Sequence, residues 1–322
     1  MSLGPHPEFS WSVSRHKAFE YCRRQYWFNY YGHWQGWEDR AAERTKTIYR
    51  LKQLHSIPSW RGSTIHRGVA EMAGRDRPPE VVIEDLHRRM REEFKLSRAR
   101  IFQQRGKAKS FGLDVHEYDV AVADERWKDN WAQVQASLRA FAELPYLGLF
   151  REARADGRFA YVEDPDSRDF DAKRFRWDEV GAFHIYAIAD MAYERADGVV
   201  EVLDWKTGKE GGPVLEDEQR LQLALYARWL QDRHPDRPAW HRFRGSLVFL
   251  PSGQRVGKEM SQEDGDWAAA TIGGSVEGMR DLLDDVGRNV GDEERFPLTE
   301  SRQKCRWCVF RQVCPRGEEL GG

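Results

Sequence analysis

The sequence predicts an α+β fold with a central mixed β-sheet flanked by helices. Helical periodicity dominates up to about residue 143, and short runs rich in β-branched and aromatic residues follow between 159 and 250. One helical pattern, 216–233, lies among these runs, and another, 261–289, follows them. Neither an internal repeat nor a linker is evident, so we expect one domain over residues 1–322 with a helical insertion at 80–145.

The composition is that of a globular protein without a dominant charge. Of the 322 residues, 32% are charged and 40% are apolar, and 51 basic residues stand against 53 acidic ones. This balance does not by itself indicate a nucleic-acid-binding protein, which needs a basic patch rather than a basic chain. No apolar run approaches the ~20 residues of a membrane span and no secretory signal pattern opens the chain, so we expect a cytoplasmic protein.

Amphipathic spacing marks the helices. In the first one, Phe19, Cys22, Tyr26 and Tyr30 recur at three- and four-residue steps, and the stretch RGST at 61–64 is typical of a helix start. The predicted helices span 12–31, 61–73, 80–95, 114–143, 216–233 and 261–289.

The strands are predicted from apolar and aromatic runs. They span 159–162, 182–193, 199–206 and 246–250. Between the second and third, Ala196, Asp197 and Gly198 predict a three-residue hairpin loop with Gly198 in the left-handed conformation. A hairpin of this kind places Asp190 directly opposite Asp204.

Acidic and basic side chains share one face of this hairpin. Asp204 and Lys206 are two residues apart on a strand, so their side chains leave the same face. Like charges opposite each other in a sheet are destabilising unless a cation lies between them. Asp190 and Asp204 therefore suit a divalent ion with oxygen ligands, such as Mg²⁺ or Mn²⁺. For the stretch DWK alone, a surface ion pair is the alternative interpretation.

Two helices carry further candidates. His66, on the helix that starts near Gly62, is a candidate third metal ligand, with a structural histidine as the alternative. Gln222 and Tyr226 are four residues apart and share one helix face, where the alternative is a tyrosine packed against the sheet.

In this order, these stretches resemble the PD-(D/E)XK nuclease superfamily, and specifically its RecB-like exonuclease branch. The matching residues are GSTIH (62–66), Ala189-Asp190, DWKTG (204–208) and Gln222-x-x-x-Tyr226. The resemblance spans roughly 10–318 and implies a restriction-endonuclease-like core. Ala187, three residues before Asp190, stands where members of the family often carry glycine.

The resemblance implies hydrolysis of DNA phosphodiesters with bound Mg²⁺ or Mn²⁺. The metal ligands that it implies are His66, Asp190, Asp204 and the main-chain carbonyl of Trp205. Lys206 would position or activate the attacking water and stabilise charge on the phosphate. Gln222 and Tyr226 would orient Lys206 or contact the DNA backbone.

Four cysteines lie at the two ends of the chain. The stretch CRWCVFRQVCP (305–315) leaves one ligand of a four-cysteine set missing, and Cys22 is the one cysteine that remains. In a cytoplasmic chain this pattern favours metal binding over disulfides. Thiolate ligation fits either a [4Fe–4S] cluster or a structural Zn²⁺, and the spacing alone does not separate the two.

This one-plus-three arrangement resembles the iron–sulfur members of the RecB-like branch, among them the AddB nuclease domain and the nuclease of CRISPR adaptation. The resemblance implies a [4Fe–4S] cluster, with Zn²⁺ as the less favoured occupant, that joins the terminal elements 12–31 and 300–318. The cluster ligands would be Cys22, Cys305, Cys308 and Cys314. We expect Phe19, Tyr26 and Tyr30 to pack around the cluster.

DNA, single-stranded or with free ends, is the expected partner. The candidate phosphate contacts are Arg23, Arg24, Arg105, Lys107, Lys109 and Arg306. No G-x-x-x-x-G-K-[ST] loop is present, so a helicase activity would have to come from a partner protein, and an integrase is a second possible partner. The alternative function is a non-catalytic DNA-binding module that keeps the fold and the cluster.

Overall fold

The computed structural model describes residues 6–118, 120, 122, 124–167, 169, 173–208, 210–234 and 242–319. The chain divides into two compact units. Unit 1 consists of Met1–Ile57, Arg91–Ala121 and Gly273–Gly322, and unit 2 of Pro58–Met90 and Val122–Ile272. The single domain expected over 1–322 stays a prediction.

The elements confirm the predicted α+β class. The strands are β1 (Ser10–Ser12), β2 (Ala160–Val162), β3 (Arg174–Trp177), β4 (Gly181–Tyr186), β5 (Met191–Glu194), β6 (Val200–Lys206), β7 (Phe243–Phe249) and β8 (Arg255–Glu259). The α-helices are α1 (Val13–Tyr21), α2 (Arg23–Trp27), α3 (Glu43–Lys52), α4 (Ile57–Gly74), α5 (Pro79–Arg98), α6 (Asp114–Glu117), α7 (Asp124–Glu143), α8 (Pro145–Ala155), α9 (Asp217–Arg233), α10 (Gln262–Arg280), α11 (Arg302–Arg306) and α12 (Pro315–Glu318). None of the described helices is long and apolar enough to cross a membrane.

Unit 2 contains a mixed five-stranded sheet in the order β2-β5-β6-β7-β8. Strand β6 runs parallel to β7, and the other neighbours are antiparallel. Every residue of β6 except Lys206 is buried, as expected for a central strand covered on both faces. This burial fixes the strand that carries Asp204 and Lys206.

Helix α9 packs against this sheet. Its N-terminus has a capping box, in which the Glu216 and Gln219 side chains each bond to the other residue's main-chain N–H. Gly245 on β7 permits the close approach, because a Cβ there would lie 2.8 Å from Cβ of Leu223. The helix therefore holds the face with Gln222 and Tyr226 in a fixed position.

The hairpin between β5 and β6 has the predicted register. Gly198 has φ of +81°, and the main chain closes the loop through Arg195 N–H to Val199 O at 2.8 Å. Met191 pairs with Leu203 and Ala192 with Val202, so the next step of the ladder sets Asp190 opposite Asp204. The prediction from the loop sequence is confirmed.

Several boundaries differ from the prediction for physical reasons. The expected helix 12–31 is interrupted at Cys22, whose φ of −164° and ψ of 118° are extended, and it continues as α2 and a π-helical turn, Phe28–Gly32. The expected strand 182–193 is two strands, β4 and β5, because residues 187–190 leave the extended pairing. Periodicity alone could not locate either break, since apolar residues continue through both.

Other elements begin or end elsewhere than predicted. Helix α4 starts at Ile57, so the stretch GSTIH lies inside the helix rather than at its cap. Helix α10 ends at Arg280, well before residue 289, and strands β3 and β8 were not predicted. The predicted helix 114–143 is formed by α6 and α7, between which residues 119, 121 and 123 lie outside the described part.

The left-handed glycine of the hairpin gives a test of the fold. We expect Gly198→Ala to destabilise the protein by about 1–2 kcal/mol, because a Cβ disfavours positive φ. Gly148→Ala, in α8 and with open space around its Cβ, is the matched control and should stabilise by roughly 0.5–1 kcal/mol. Urea unfolding followed by circular dichroism measures both, and an unchanged midpoint for Gly198→Ala would contradict the argument.

Candidate active site

The Asp190 carboxylate is buried and fixed from two sides. It lies directly before β5 and is 8% exposed. Its Oδ2 accepts the main-chain N–H of Trp205 at 2.7 Å, across the β5–β6 pair. Its Oδ1 lies 3.0 Å from Nδ1 of His66. The hairpin and α4 thus hold Asp190 in one orientation.

His66 contacts two other predicted metal ligands, the Asp190 carboxylate and the main-chain oxygen of Trp205. It projects from α4, with Nδ1 on Asp190 and Nε2 3.2 Å from the main-chain oxygen of Trp205. Burial lowers the pKa of His66, but the charge and hydrogen bond of Asp190 outweigh this and raise it to about 9. The imidazolium therefore donates a hydrogen bond from each nitrogen.

Asp204 lies in a dense polar network. Lys206 Nζ is 2.6 Å from its Oδ2 and also donates to Gln222 Oε1 at 3.0 Å. Gln222 Nε2 donates to Asp204 Oδ1 at 2.8 Å and to Tyr226 OH at 2.6 Å. Tyr226 OH in turn donates to Asp204 Oδ1 at 3.1 Å. One helix face thus positions both the acid and the lysine of β6.

Burial and like charge shape the titration of this network. Burial, and then the charge of Asp190, raise the pKa of Asp204, against the opposing effect of Lys206. Burial and the Asp204 charge raise the pKa of Tyr226 well above its ordinary value, so the phenol stays a hydrogen-bond donor.

Glu163 is a third carboxylate that sequence reasoning missed. It follows β2, and its N–H donates to Asp190 O at 3.0 Å, so it continues the β2–β5 register. Burial and the charge of Asp190 raise its pKa, while Lys173 Nζ, 3.4 Å away, opposes the rise. No local sequence signal predicts it, because β2 and β5 lie about 30 residues apart and pair only in the fold.

Glu163 opens onto the same cleft as His66 and Asp190. The cleft has a volume of about 210 Å³. Its lining residues are His66, Val69, Glu163, Pro165, Asp190 and Trp205. It is narrow, two carboxylates open onto it, and it lies next to the candidate metal ligands.

The donor set fits a hard divalent cation, although the side chains are not arranged around one. Among the described residues, no group of three or more His, Cys, Asp or Glu side chains is spaced as the ligands of a metal ion. Asp204 Oδ2 is nevertheless buried, with the Lys206 ammonium 2.6 Å away as its polar neighbour among the described residues. Carboxylate oxygens, a carbonyl oxygen and an imidazole are the donors that Mg²⁺ or Mn²⁺ takes.

The four cysteines line one cavity in unit 1. Cys22 lies in the extended break between α1 and α2, while Cys305, Cys308 and Cys314 lie on and after α11. The cavity has a volume of about 380 Å³, and Arg24 also lines it. The rings of Phe28 and Phe310 stack at 5.1 Å beside it, and the cluster-binding role expected for 12–31 and 300–318 stays a prediction.

Burial raises the pKa of three thiols in this cavity, those of Cys305, Cys308 and Cys314, and so favours their neutral form. Burial, followed by the nearness of the other sulfurs, raises the pKa of Cys305. Burial also raises the pKa of Cys308 to about 12. A metal or cluster would therefore have to displace protons, and the positively charged Arg24, Lys304 and Arg311 in the lining favour the thiolates that result.

The aromatic surroundings of this cavity differ from the prediction. Tyr21 and Phe28 line it. Tyr26 and Tyr30 instead pack against the Arg15 guanidinium, at 5.4 and 4.4 Å, and Phe19 packs on Tyr26 at 5.1 Å. The break at Cys22 explains the difference, because it changes which helix face the following residues occupy.

The candidate DNA contacts are scattered over unit 1. Arg24 is held by Glu293 at 2.8 Å and by the main-chain oxygen of Phe296. Arg23 bonds to Glu20 at 3.2 Å, and Arg105 pairs with Asp39 at 2.9 Å. The remaining candidates, which are exposed, are Lys107, Lys109 and Arg306. DNA contact by these six side chains stays a prediction.

Comparison with known proteins gives one family. The family model of the PD-(D/E)XK nuclease superfamily matches residues 10–315. Comparison with curated proteins found no significant match. A solved structure described as "Crystal structure of SSO0001" is 17% identical, with 63% of this chain and 92% of that chain covered and a TM-score of 0.29.

The charge of His66 predicts a pH dependence of stability without metal. Its pKa is raised from 6.5 to about 9, so its stabilising charge is fully present below pH 6.5 and is lost as the pH rises through 9. We expect the urea midpoint to fall over this range, and the fall to shrink in His66→Asn. His87→Asn, which removes a histidine stacked on Trp131, should keep the wild-type slope. A midpoint that rises with pH would contradict the assignment.

Proposed function

Because the chain belongs to the PD-(D/E)XK nuclease superfamily, we propose that it is a metal-dependent deoxyribonuclease that acts as an exonuclease on single-stranded or end-frayed DNA. The observation that supports this most is the meeting of His66, Asp190 and the Trp205 carbonyl within 3.2 Å, next to Asp204 and Lys206. We assign Mg²⁺ or Mn²⁺ to His66, Asp190, Asp204 and the Trp205 carbonyl. When bound, such an ion lowers the pKa of coordinated water and neutralises charge on the phosphate.

The residues of the chain would divide the remaining work. Lys206 keeps its ammonium beside the Asp204 carboxylate, where it can donate to a non-bridging phosphate oxygen or orient a water molecule. From α9, Gln222 bonds to both Asp204 and Lys206, and Tyr226 bonds to Asp204. Both α9 residues therefore act as positioning residues. To coordinate a metal ion, the imidazolium of His66 would have to lose the proton of the coordinating nitrogen, since a ligand nitrogen cannot also carry hydrogen.

The alternative is a non-catalytic DNA-binding module of a recombination or CRISPR adaptation complex. It would keep the fold and the cysteine site but would not need a lysine held between an acid and a glutamine. The complete network around Lys206 favours the enzyme.

Cleavage assays test the proposal. We expect Mn²⁺-dependent degradation of 5′- or 3′-labelled DNA, and a loss of about 10²-fold or more in Asp204→Ala and Lys206→Ala, because each removes a charge beside the reacting phosphate. Lys258→Ala is the matched control. This lysine lies on the edge strand β8 and pairs with Asp264 rather than with an acid of the candidate site. Wild-type protein that binds DNA and does not cleave it with either metal would favour the binding module.

We further propose that Cys22, Cys305, Cys308 and Cys314 hold a [4Fe–4S] cluster, with Zn²⁺ as the alternative occupant. The support is the shared cavity, its cationic lining and the cysteine spacing. The cluster would tie residue 22 to the C-terminal segment and reduce the unfolded chain's freedom by a loop closure worth several kcal/mol.

Protein purified without oxygen tests the cluster. We expect absorbance at ~400 nm and about four iron atoms per chain, with both lost in Cys22→Ala. Tyr21→Phe, which changes a cavity neighbour without removing a ligand, should keep the colour. Zinc in place of iron would select the alternative occupant, and colour that survives Cys22→Ala would contradict the ligand set.

A further inference from the structure

A second large cavity lies in unit 1 and shares no lining residue with the carboxylate cleft or the cysteine cavity. It is an open space of about 1790 Å³. The lining residues that matter here are Trp27, Tyr31, Trp34, Arg40, Arg288 and Asn289.

Aromatic rings in fixed orientations form one wall. Trp27 Nε1 donates to Gly291 O at 2.7 Å, and Gly32 lets this ring lie close to the main chain, since a Cβ there would be 2.3 Å from it. Trp34 stacks on His6 at 5.6 Å and meets Trp37 edge-on at 4.9 Å. Trp34 Nε1 is buried without a hydrogen-bond partner among the described residues, so one donor at this wall is unused.

Positive charge dominates the rim of the cavity and the space behind its wall. Arg40 and Arg288 are exposed at the rim, where Glu8 is the one acidic side chain in the lining. Arg40 makes no ion pair within the described chain, and Arg288 has Asp285 at 4.0 Å.

Behind the wall lies a buried guanidinium. Arg15 is 5% exposed and donates to Tyr31 OH at 3.0 Å, and Tyr31 donates to Asn289 Oδ1 at 3.1 Å. The bonds of Arg15 go to hydroxyl groups, and no carboxylate of the described residues pairs with it. Lys52 is likewise bonded to His33 rather than to an acid. With no carboxylate of the described residues beside it, the buried charge of Arg15 adds to the positive potential near the cavity.

Two residues of the wall have an unusual backbone. Gln35 and Asn289 have φ of +61° and +52°, the left-handed region that side chains other than glycine rarely adopt. Strain of this kind is found preferentially at ligand sites, where the surrounding structure maintains it.

We propose that this cavity binds a stretch of single-stranded DNA, with bases against Trp27 and Trp34 and phosphates on Arg40 and Arg288. Aromatic rings supply stacking that tolerates any base, and arginines supply backbone contacts. A duplex does not fit this chemistry, because its bases are already stacked on each other. The choice of DNA rests on the proposed nuclease function and names the strand state of its substrate.

Binding without divalent metal tests the site separately from cleavage. Anisotropy of a fluorescein-labelled (dT)15 probe should show Arg40→Glu/Arg288→Glu binding about ten-fold or more weaker than wild type. The slope of the logarithm of the binding constant against the logarithm of the salt concentration should fall in magnitude by about 1.4. Each of the two arginines neutralises one phosphate, and each neutralised phosphate of a single strand contributes about 0.7 to this slope. Arg88→Glu/Arg139→Glu changes two exposed arginines of α5 and α7 that pair with Asp85 and Glu80, so it is the charge-matched control and should bind as wild type does. Equal affinity of the double variant and the control would overturn the proposal.

Two further probes test the stacking. An oligonucleotide of abasic sites, which keeps the phosphates, should bind more weakly than (dT)15, and equal affinity would overturn the site. An oligonucleotide with 5-iododeoxyuridine should crosslink under light to residues 25–40, and crosslinks found only elsewhere would overturn it. Protein that passes these binding tests but fails to cleave DNA with Mn²⁺ would refute the nuclease function and support this binding site. Protein that cleaves DNA but fails these binding tests would support the nuclease function and refute this site.

Discussion

The candidate site depends on one constraint, which is that β2, β5 and β6 bring three carboxylates side by side. Glu163 directly follows β2, Asp190 directly precedes β5 and Asp204 lies on β6, and like charges at that spacing repel each other. The sheet tolerates them because most of β6 is buried and the ladder cannot shift by one residue without moving the apolar side chains to the other face. The burial of apolar side chains thus offsets the repulsion between the three carboxylates.

The cationic neighbours follow from this constraint. His66 and Lys173 lie on the Glu163–Asp190 side, and Lys206 lies on the Asp204 side, so each acid has a compensating charge. Burial, and then the charge of Asp190, nevertheless keep the pKa values of Glu163 and Asp204 raised against these cations. A divalent cation at the proposed site would relieve the same repulsion more completely.

The predictability of these features depends on how local their causes are. The three-residue loop Ala196, Asp197 and Gly198 determines the Asp190–Asp204 register, so a sequence of a few residues was sufficient. The face of Gln222 and Tyr226 was predictable for a similar reason, since helical spacing fixes it. Glu163 was not, because it joins the site through a pairing of β2 with β5 that loop sequences do not encode.

The same reasoning explains the errors in unit 1. The break at Cys22 does not follow from helix propensity, and it sends Cys22 to the cysteine cavity while Tyr26 and Tyr30 turn to Arg15. The predicted aromatic shell around the cysteines is therefore the shell of a buried cation. Arg15 itself has the sequence pattern of an ordinary polar position in a helix.

The net charge of −2 conceals an opposite distribution in the two units. Unit 2 concentrates carboxylates that lack enough cations, and unit 1 concentrates Arg15 and Lys52 in a region without carboxylate partners among the described residues. Metal ions are attracted to the first kind of site and phosphates to the second. A phosphodiester substrate with a divalent ion needs both, so the charge that each unit lacks is one that a component of the proposed reaction supplies.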